Sequence, residues 1–374
     1  MNVSHMKAFI ERILEDEKRV NIQKHLTKLS ASLQNLVGAP TDTNHQTEVS
    51  NRINELHKVL GELSQGYDAA AMKKLADIGA LKFFTSELSE EIKAAQGNNQ
   101  VTPAVIKQKA DELTNERDLY LQALNGFMSN TSAFGIESAQ LEPGTAEIGF
   151  LLPRELFKDE LPGLIIELRV LNRVMRAFSE ATLGPGKVEL AMVRDISTTD
   201  PNFFFSLNPK TIAYLAAAIT WALGTWHQLE QIRNVRAQTE QLEGFTKEDI
   251  KLFDKKIDER IDAAVKQKAG ELAALVDGDE NRKNEQRMDL DWALRHILAR
   301  VERGMTVEIR FLPPPVKEVA AGEEAPEQPK EFADLAESQK ILSFPKPGDS
   351  PVLKLPPLEA PSDEVEKGEG KKKK

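Results

Sequence analysis

Residues 211–229 read Thr-Ile-Ala-Tyr-Leu-Ala-Ala-Ala-Ile-Thr-Trp-Ala-Leu-Gly-Thr-Trp-His-Gln-Leu, nineteen residues without a formal charge between Lys210 and Glu230. As a helix the stretch spans about 28 Å, close to the roughly 30 Å hydrocarbon core of a bilayer. Tyr214, Trp221 and Trp226 can be read as interfacial anchors, with Arg233 and Arg236 as flanking charge. The aliphatic pattern argues for a different environment. Ile212, Leu215, Ile219 and Leu223 form one stripe, and Ala213, Ala217, Thr220 and Gly224 form a second seam of small residues. Two seams of that kind suit a helix packed closely on two sides inside a protein. The expectation is that Ile212, Leu215, Ile219, Leu223 and Trp226 face a core, with conditional insertion of 211–229 into a membrane as the competing reading.

A core helix needs partners, and its flanks supply helical ones. Asn208-Pro209 places an N-cap before a proline at the first helical position, opening a helix that runs past Arg236. Thr246-Lys247-Glu248-Asp249 resembles a capping box and starts a second helix through Ile257, Ile261, Val265 and Leu272. Together they predict a long hairpin within an insertion over 208–300. A short helix capped by Asp289 or Asp291 then carries Trp292, Leu294, His296 and Val301.

Around this insertion the apolar period changes to two. Glu147 to Leu152 and Lys187 to Ile196 read as strands, with a helix between them from about 162 to 182. That order suggests a parallel βαβ unit. A late strand at Met305 to Leu312 alternates Val307, Ile309 and Phe311 with Thr306, Glu308 and Arg310, and completes a three-stranded mixed sheet.

Upstream, residues 1–130 read as a helical bundle. Val49, Ile53, Leu56, Leu60 and Leu63 recur at spacings of 4, 3, 4 and 3, a short heptad-like seam and a candidate interaction surface. Gly38 to Asp42 separates this segment from its predecessor, predicting a hairpin over 21–64. A third helix is expected over 67–95 and a fourth from Thr102-Pro103. The opening Met1 to Met6 contains two candidate start methionines and receives no structural weight. Residues 131–144 read as a linker to an α+β domain over 145–312. From Pro313 onward, eleven of the 19 prolines and the terminal Lys371 to Lys374 predict a disordered Pro/Glu/Lys-rich tail.

Composition excludes several classes of chemistry. With no cysteine, no thiolate nucleophile, disulfide, cysteine-ligated zinc or iron–sulfur cluster can form. The six histidines include no HExxH, and no glycine-rich phosphate loop or GxSxG is present. No motif calls for a catalytic residue, a cofactor or a resident metal. A net charge of −10 argues against a broad nucleic-acid footprint. Lys7, Glu11, Arg12, Glu15 and Asp16 interrupt any secretory h-region, so a cytoplasmic location is expected.

The remaining polar features admit chemistry only weakly. Ser197, Thr198, Thr199, Asp200 and Asn202 form a hydroxyl-rich loop after a strand expected to be parallel, a place where α/β sheets bind phosphate ligands. Turn chemistry explains the same residues. Asp289 and Asp291 read as a helix cap rather than a cation site, and His296 as a hydrogen-bonded helix residue rather than a base. Glu147, Glu189, Glu308 and Arg310 are expected on one solvated, ion-paired face of the sheet.

The predicted architecture is therefore α+β and predominantly helical: a bundle, a small mixed sheet with an inserted helical hairpin, and a tail. The expected function is non-enzymatic, that of a scaffold or regulatory protein acting through helical faces on a protein partner or a second copy. The alternatives are a membrane-acting effector and a nucleotide or phosphate-ligand sensor or hydrolase.

Overall fold

The computed structural model describes residues 3–96, 102–184, 187–197, 201–240, 247–276, 279–315, 328–344, 353–356 and 358. It is α+β and predominantly helical, with one four-stranded antiparallel sheet among the described residues. The chain divides into two compact units. The first takes Met1–Phe150, Val193–Pro209 and Val307–Ser343; the second takes Leu151–Met192, Lys210–Thr306 and Phe344–Lys374. The expected division at 131–144 is thus replaced by one in which the sheet belongs with the N-terminal bundle.

The bundle begins with α1 (Val3–Val20), which stops at Asn21. That residue takes a left-handed conformation, φ 56°, and its side chain accepts the Lys24 N–H to cap α2 (Ile22–Gly38). Asp42 caps α3 (Thr43–Gln65) by accepting the Asn44 N–H at 2.7 Å. The stretch expected as one helix over 67–95 is broken into α4 (Ala69–Asp77), α5 (Leu81–Phe84) and α6 (Glu87–Gln96). Gly79 at φ 71° makes the first break, in a region that favours a residue without Cβ. Pro103 opens α7 (Pro103–Ala133).

Val49, Ile53, Leu56, Leu60 and Leu63 are buried in this bundle's core, together with Leu26, Leu29 and Leu33 of the preceding helix. The candidate interaction seam is consequently the packing seam of the α2–α3 hairpin. Burying each of these side chains contributes about 1.5–3 kcal/mol. Their exposure for docking would forfeit that term.

Residues 131–144 are strapped to the first unit rather than spanning a gap. Lys7 Nζ donates to Ser132 Oγ and Ile136 O, the Ala139 N–H donates to Ser4 O at 3.1 Å, and the Gly144 N–H donates to Leu312 O at 2.7 Å.

The sheet contains β1 (Thr145–Leu151), β2 (Met192–Ser197), β3 (Asn202–Leu207) and β4 (Thr306–Leu312), ordered β2-β3-β1-β4. The parallel βαβ expectation fails because β1 pairs with β3 and β4, not with β2. Phe203-Phe204-Phe205, to which the sequence assigned no element, lie on β3, the additional strand. All three rings are buried, so this strand is covered on both faces and shows no polar alternation to betray its period. Lys187 to Ala191 lie outside the strand predicted there.

The second unit contains α8 (Arg154–Phe157), α9 (Leu161–Leu183), α10 (Pro209–Glu240), α11 (Lys247–Ala274) and α12 (Glu280–Val301). In α10, Ile212, Leu215, Ala216, Ala218, Ile219, Ala222, Leu223 and Trp226 are buried. The Ile/Leu stripe therefore finds its apolar surroundings in protein. Among the described residues, no helix is long and apolar enough to cross a membrane. Asp279, not Asp289 or Asp291, caps α12, accepting the Arg282 N–H at 2.9 Å; Thr246 lies outside the described residues. Within the expected tail, α13 (Lys330–Ile341) forms in the first unit and buries Phe332 and Leu335. Two apolar side chains on one helical face correct the expectation of disorder over 330–341.

Candidate functional site

The two units each enclose a polar cluster. In the first, one sheet face carries Glu147 on β1, Asp195 on β2, Phe204 on β3, and Glu308 and Arg310 on β4, while α1 and α4 bring His5 and Lys74 to it. Arg310 is the hub. It donates to Ala139 O at 2.7 Å and to His5 Nδ1 at 3.0 Å, and it lies 3.4 Å from Glu147. His5 Nε2 stands 2.9 Å from Asp195 Oδ2, and its ring centre lies 4.5 Å from that of Phe204, the planes tilted by 43°. Lys74 pairs with Glu308.

Burial pushes the His5 pKa down to about 4, with Arg310 acting in the same direction. The ring is neutral at pH 7. A guanidinium can only donate, so Nδ1 is the acceptor and the ring proton is carried on Nε2. Burial also raises the Glu147 carboxyl above the usual carboxylate range, against the pull of Arg310.

Next to this hub lies a pocket of about 200 Å³ lined by His5, Arg12, Asp68, Lys74, Glu308 and Arg310 among others. Its charges are already engaged: Arg12 donates to Gly66 O at 2.8 Å, and Asp68 accepts the Ala71 N–H at 2.7 Å as the cap of α4. The lining contains no hydroxyl or thiol. Chemically it is a wall of paired charge.

The expectation of a solvated sheet face is corrected here. Glu147 is buried, and Glu308 and Arg310 are mostly covered. Glu189 is not on the sheet; it precedes β2, and its N–H donates to Ser179 Oγ at 2.9 Å.

The second cluster joins α9 and α12. Arg300 grips Glu167 through two parallel bonds, Nε to Oε2 at 2.6 Å and Nη2 to Oε1 at 3.0 Å, with both side chains 3% exposed. Its Nη1 donates to His296 Nδ1 at 2.8 Å. The His296 ring centre lies 4.0 Å from that of Trp292, the planes tilted by 37°, and the Arg173 guanidinium lies 4.0 Å from the centre of the Trp292 ring. Burial, reinforced by Arg300 and Arg173, lowers the His296 pKa to about 3. The proton of this neutral ring is on Nε2, which makes no hydrogen bond among the described residues.

The other sequence candidates are dispersed. Ser197 ends β2 and Asn202 begins β3, so their loop joins an antiparallel hairpin instead of following a parallel strand; Thr198, Thr199 and Asp200 lie outside the described residues. Asp291 pairs with Arg295 at 2.7 Å, and Asp289 lies 3.6 Å from Arg173. Among the described residues, no three acidic or histidine side chains are grouped to hold a metal ion.

Sequence reading missed His5, Lys74, Asp195, Glu167 and Arg300. Only Glu167 carried a usable signal: it lies three and four residues before the buried Val170 and Leu171, on the apolar stripe of α9. No known protein family, curated protein or solved structure matches the chain.

Proposed function

We propose that the chain is a non-enzymatic interaction protein, a scaffold or regulator, and that it docks a second copy of itself along the edge strand β2. The observation that carries this reading is the exposure of Met192, Val193 and Ile196, 55%, 56% and 50%, on a strand that ends the sheet. A sheet edge offers unpaired main-chain groups to another strand, and apolar side chains on it favour pairing over solvation.

Charge selects the partner strand and its register. Antiparallel pairing centred on Val193 sets Val193 against its copy and Met192 against Arg194. Centring the pair on Arg194 or Asp195 would oppose like charges, which destabilises a cross-strand pair. Light scattering on the purified chain tests this. Twice the 41.7-kDa chain mass is expected, returning to the single mass in Val193→Lys and Ile196→Lys. A wild-type mass of 41.7 kDa at every concentration would remove self-pairing.

The membrane-acting alternative would require α10 to give up the burial of its Ile/Leu stripe. The phosphate-ligand alternative rests on a loop whose central three residues are not described.

A further inference from the structure

The end of α12 holds a second arrangement that side-chain packing does not require. Gly304, at φ 90°, turns the chain after the helix, and the Met305 N–H donates back to Arg300 O at 2.9 Å. That turn presents Glu302 and Arg303 side by side. Arg303 is fixed by donation from Nη1 to Ala299 O at 2.7 Å, one turn back on its own helix. Its Nη2 then donates to Leu353 O at 2.5 Å, while Glu302 Oε2 accepts the Leu353 N–H at 2.9 Å.

One acidic and one basic side chain thus satisfy both main-chain groups of a single residue, as a neighbouring β-strand would. Both bonds are charge-assisted, and Glu302 is only 2% exposed, so the acceptor is held away from competing water. The strap that they hold is otherwise lightly attached. Leu353 is half-buried, Lys354 points to solvent, and Leu355 is 40% exposed.

We propose that Glu302 and Arg303 form a main-chain clamp for an extended peptide, and that its resident ligand is this chain's own segment Leu353–Pro356, held as an exchangeable strap on the second unit. The chemistry selects backbone before side chain. A ligand needs one residue with a free N–H and C=O, followed by a segment that stays extended, which Leu355-Pro356 provides because a residue before proline avoids helical geometry. This inference goes beyond self-pairing along β2 and does not depend on it.

The Lys354–Leu355 bond is a tryptic site within the strap, and its cleavage requires release from the clamp. On the full chain, Arg303→Met and Glu302→Gln should each speed cleavage after Lys354 about tenfold. Hydrogen exchange at the Leu353 N–H should accelerate by a similar factor. Unchanged tryptophan fluorescence would show that the second unit remains folded. Leu353→Pro removes the N–H from the strap side and leaves the clamp intact; with cleavage normalised to a free peptide of the same sequence, it too should open the strap. An excess of acetyl-Leu-Gln-Leu-Pro-amide, which lacks the cleavable lysine, should accelerate wild-type cleavage by competition. Wild-type cleavage as fast as in the free peptide, or exchange unaffected by the clamp variants, would overturn the proposal. Protection that disappears on dilution would overturn the intrachain assignment and place the strap on a second copy.

Discussion

Acidification should weaken the second unit through His296. The folded pKa is lowered to about 3 from an ordinary value of 6.5, chiefly by burial and next by Arg300. The unfolded chain therefore binds the proton more readily than the folded one. Stability from this group is fully present above pH 6.5 and is lost progressively as pH falls from 6.5 towards 3. At pH 5 the fall is 1.5 pH units below the unfolded value, and at 1.36 kcal/mol per unit the loss is about 2 kcal/mol. The assay is unusually local. All three tryptophans, Trp221, Trp226 and Trp292, belong to the second unit, so urea unfolding followed by tryptophan fluorescence reports on that unit alone. Wild type should lose about 2 kcal/mol between pH 7.5 and pH 5 in excess of His296→Gln, which cannot take up the proton. Equal losses in the two proteins would refute the buried neutral imidazole and the Arg300 contact that orients it.

Other substitutions probe the remaining contacts. In Gly149→Ala, the added Cβ would stand 2.5 Å from Cε1 of the buried Phe204 ring, so the first unit should lose roughly 1–3 kcal/mol in urea unfolding followed by circular dichroism; an unaltered midpoint would show that the ring can move. Glu167→Ala strands the Arg300 guanidinium and should cost about 3–5 kcal/mol, much of which Arg300→Met should restore when combined with it. Leu56→Ala should cost about 2–5 kcal/mol while leaving the molecular mass unchanged, because the 49–63 seam is core. A change of mass there would return the seam to the surface.

Legibility followed the repeat of each element. The 4, 3, 4, 3 spacing in α3 and the Ile/Leu stripe of α10 could be read directly, since a helix buried on one side must repeat its apolar residues near 3.6. The strand β4 was legible for the corresponding reason at period two. Phe203-Phe204-Phe205 was not, because a strand covered on both faces loses its alternation. His5, Asp195 and Arg310 carried no shared signal, being 305 residues apart at the extremes, and no local spacing encodes a meeting of that kind. Nor could the ladder order be inferred, since pairing β1 with β3 and β4 depends on which faces are already covered.

From its amino acids alone, the chain is helical in the main, free of thiol chemistry, and contains an uncharged helix whose Ile/Leu stripe requires apolar surroundings; the small-residue seam expected to pack as closely does not, since Ala217 and Gly224 are exposed. Local periodicity and the capacity of a residue to carry charge or bond a metal suffice for that much. Tertiary structure alone decided that the sheet is antiparallel, that the 49–63 seam is spent internally, that His296 is neutral, and that Glu302 and Arg303 meet Leu353. Each of these depends on water being excluded, or on two segments far apart in sequence being brought within hydrogen-bond distance, and both are properties of the folded chain.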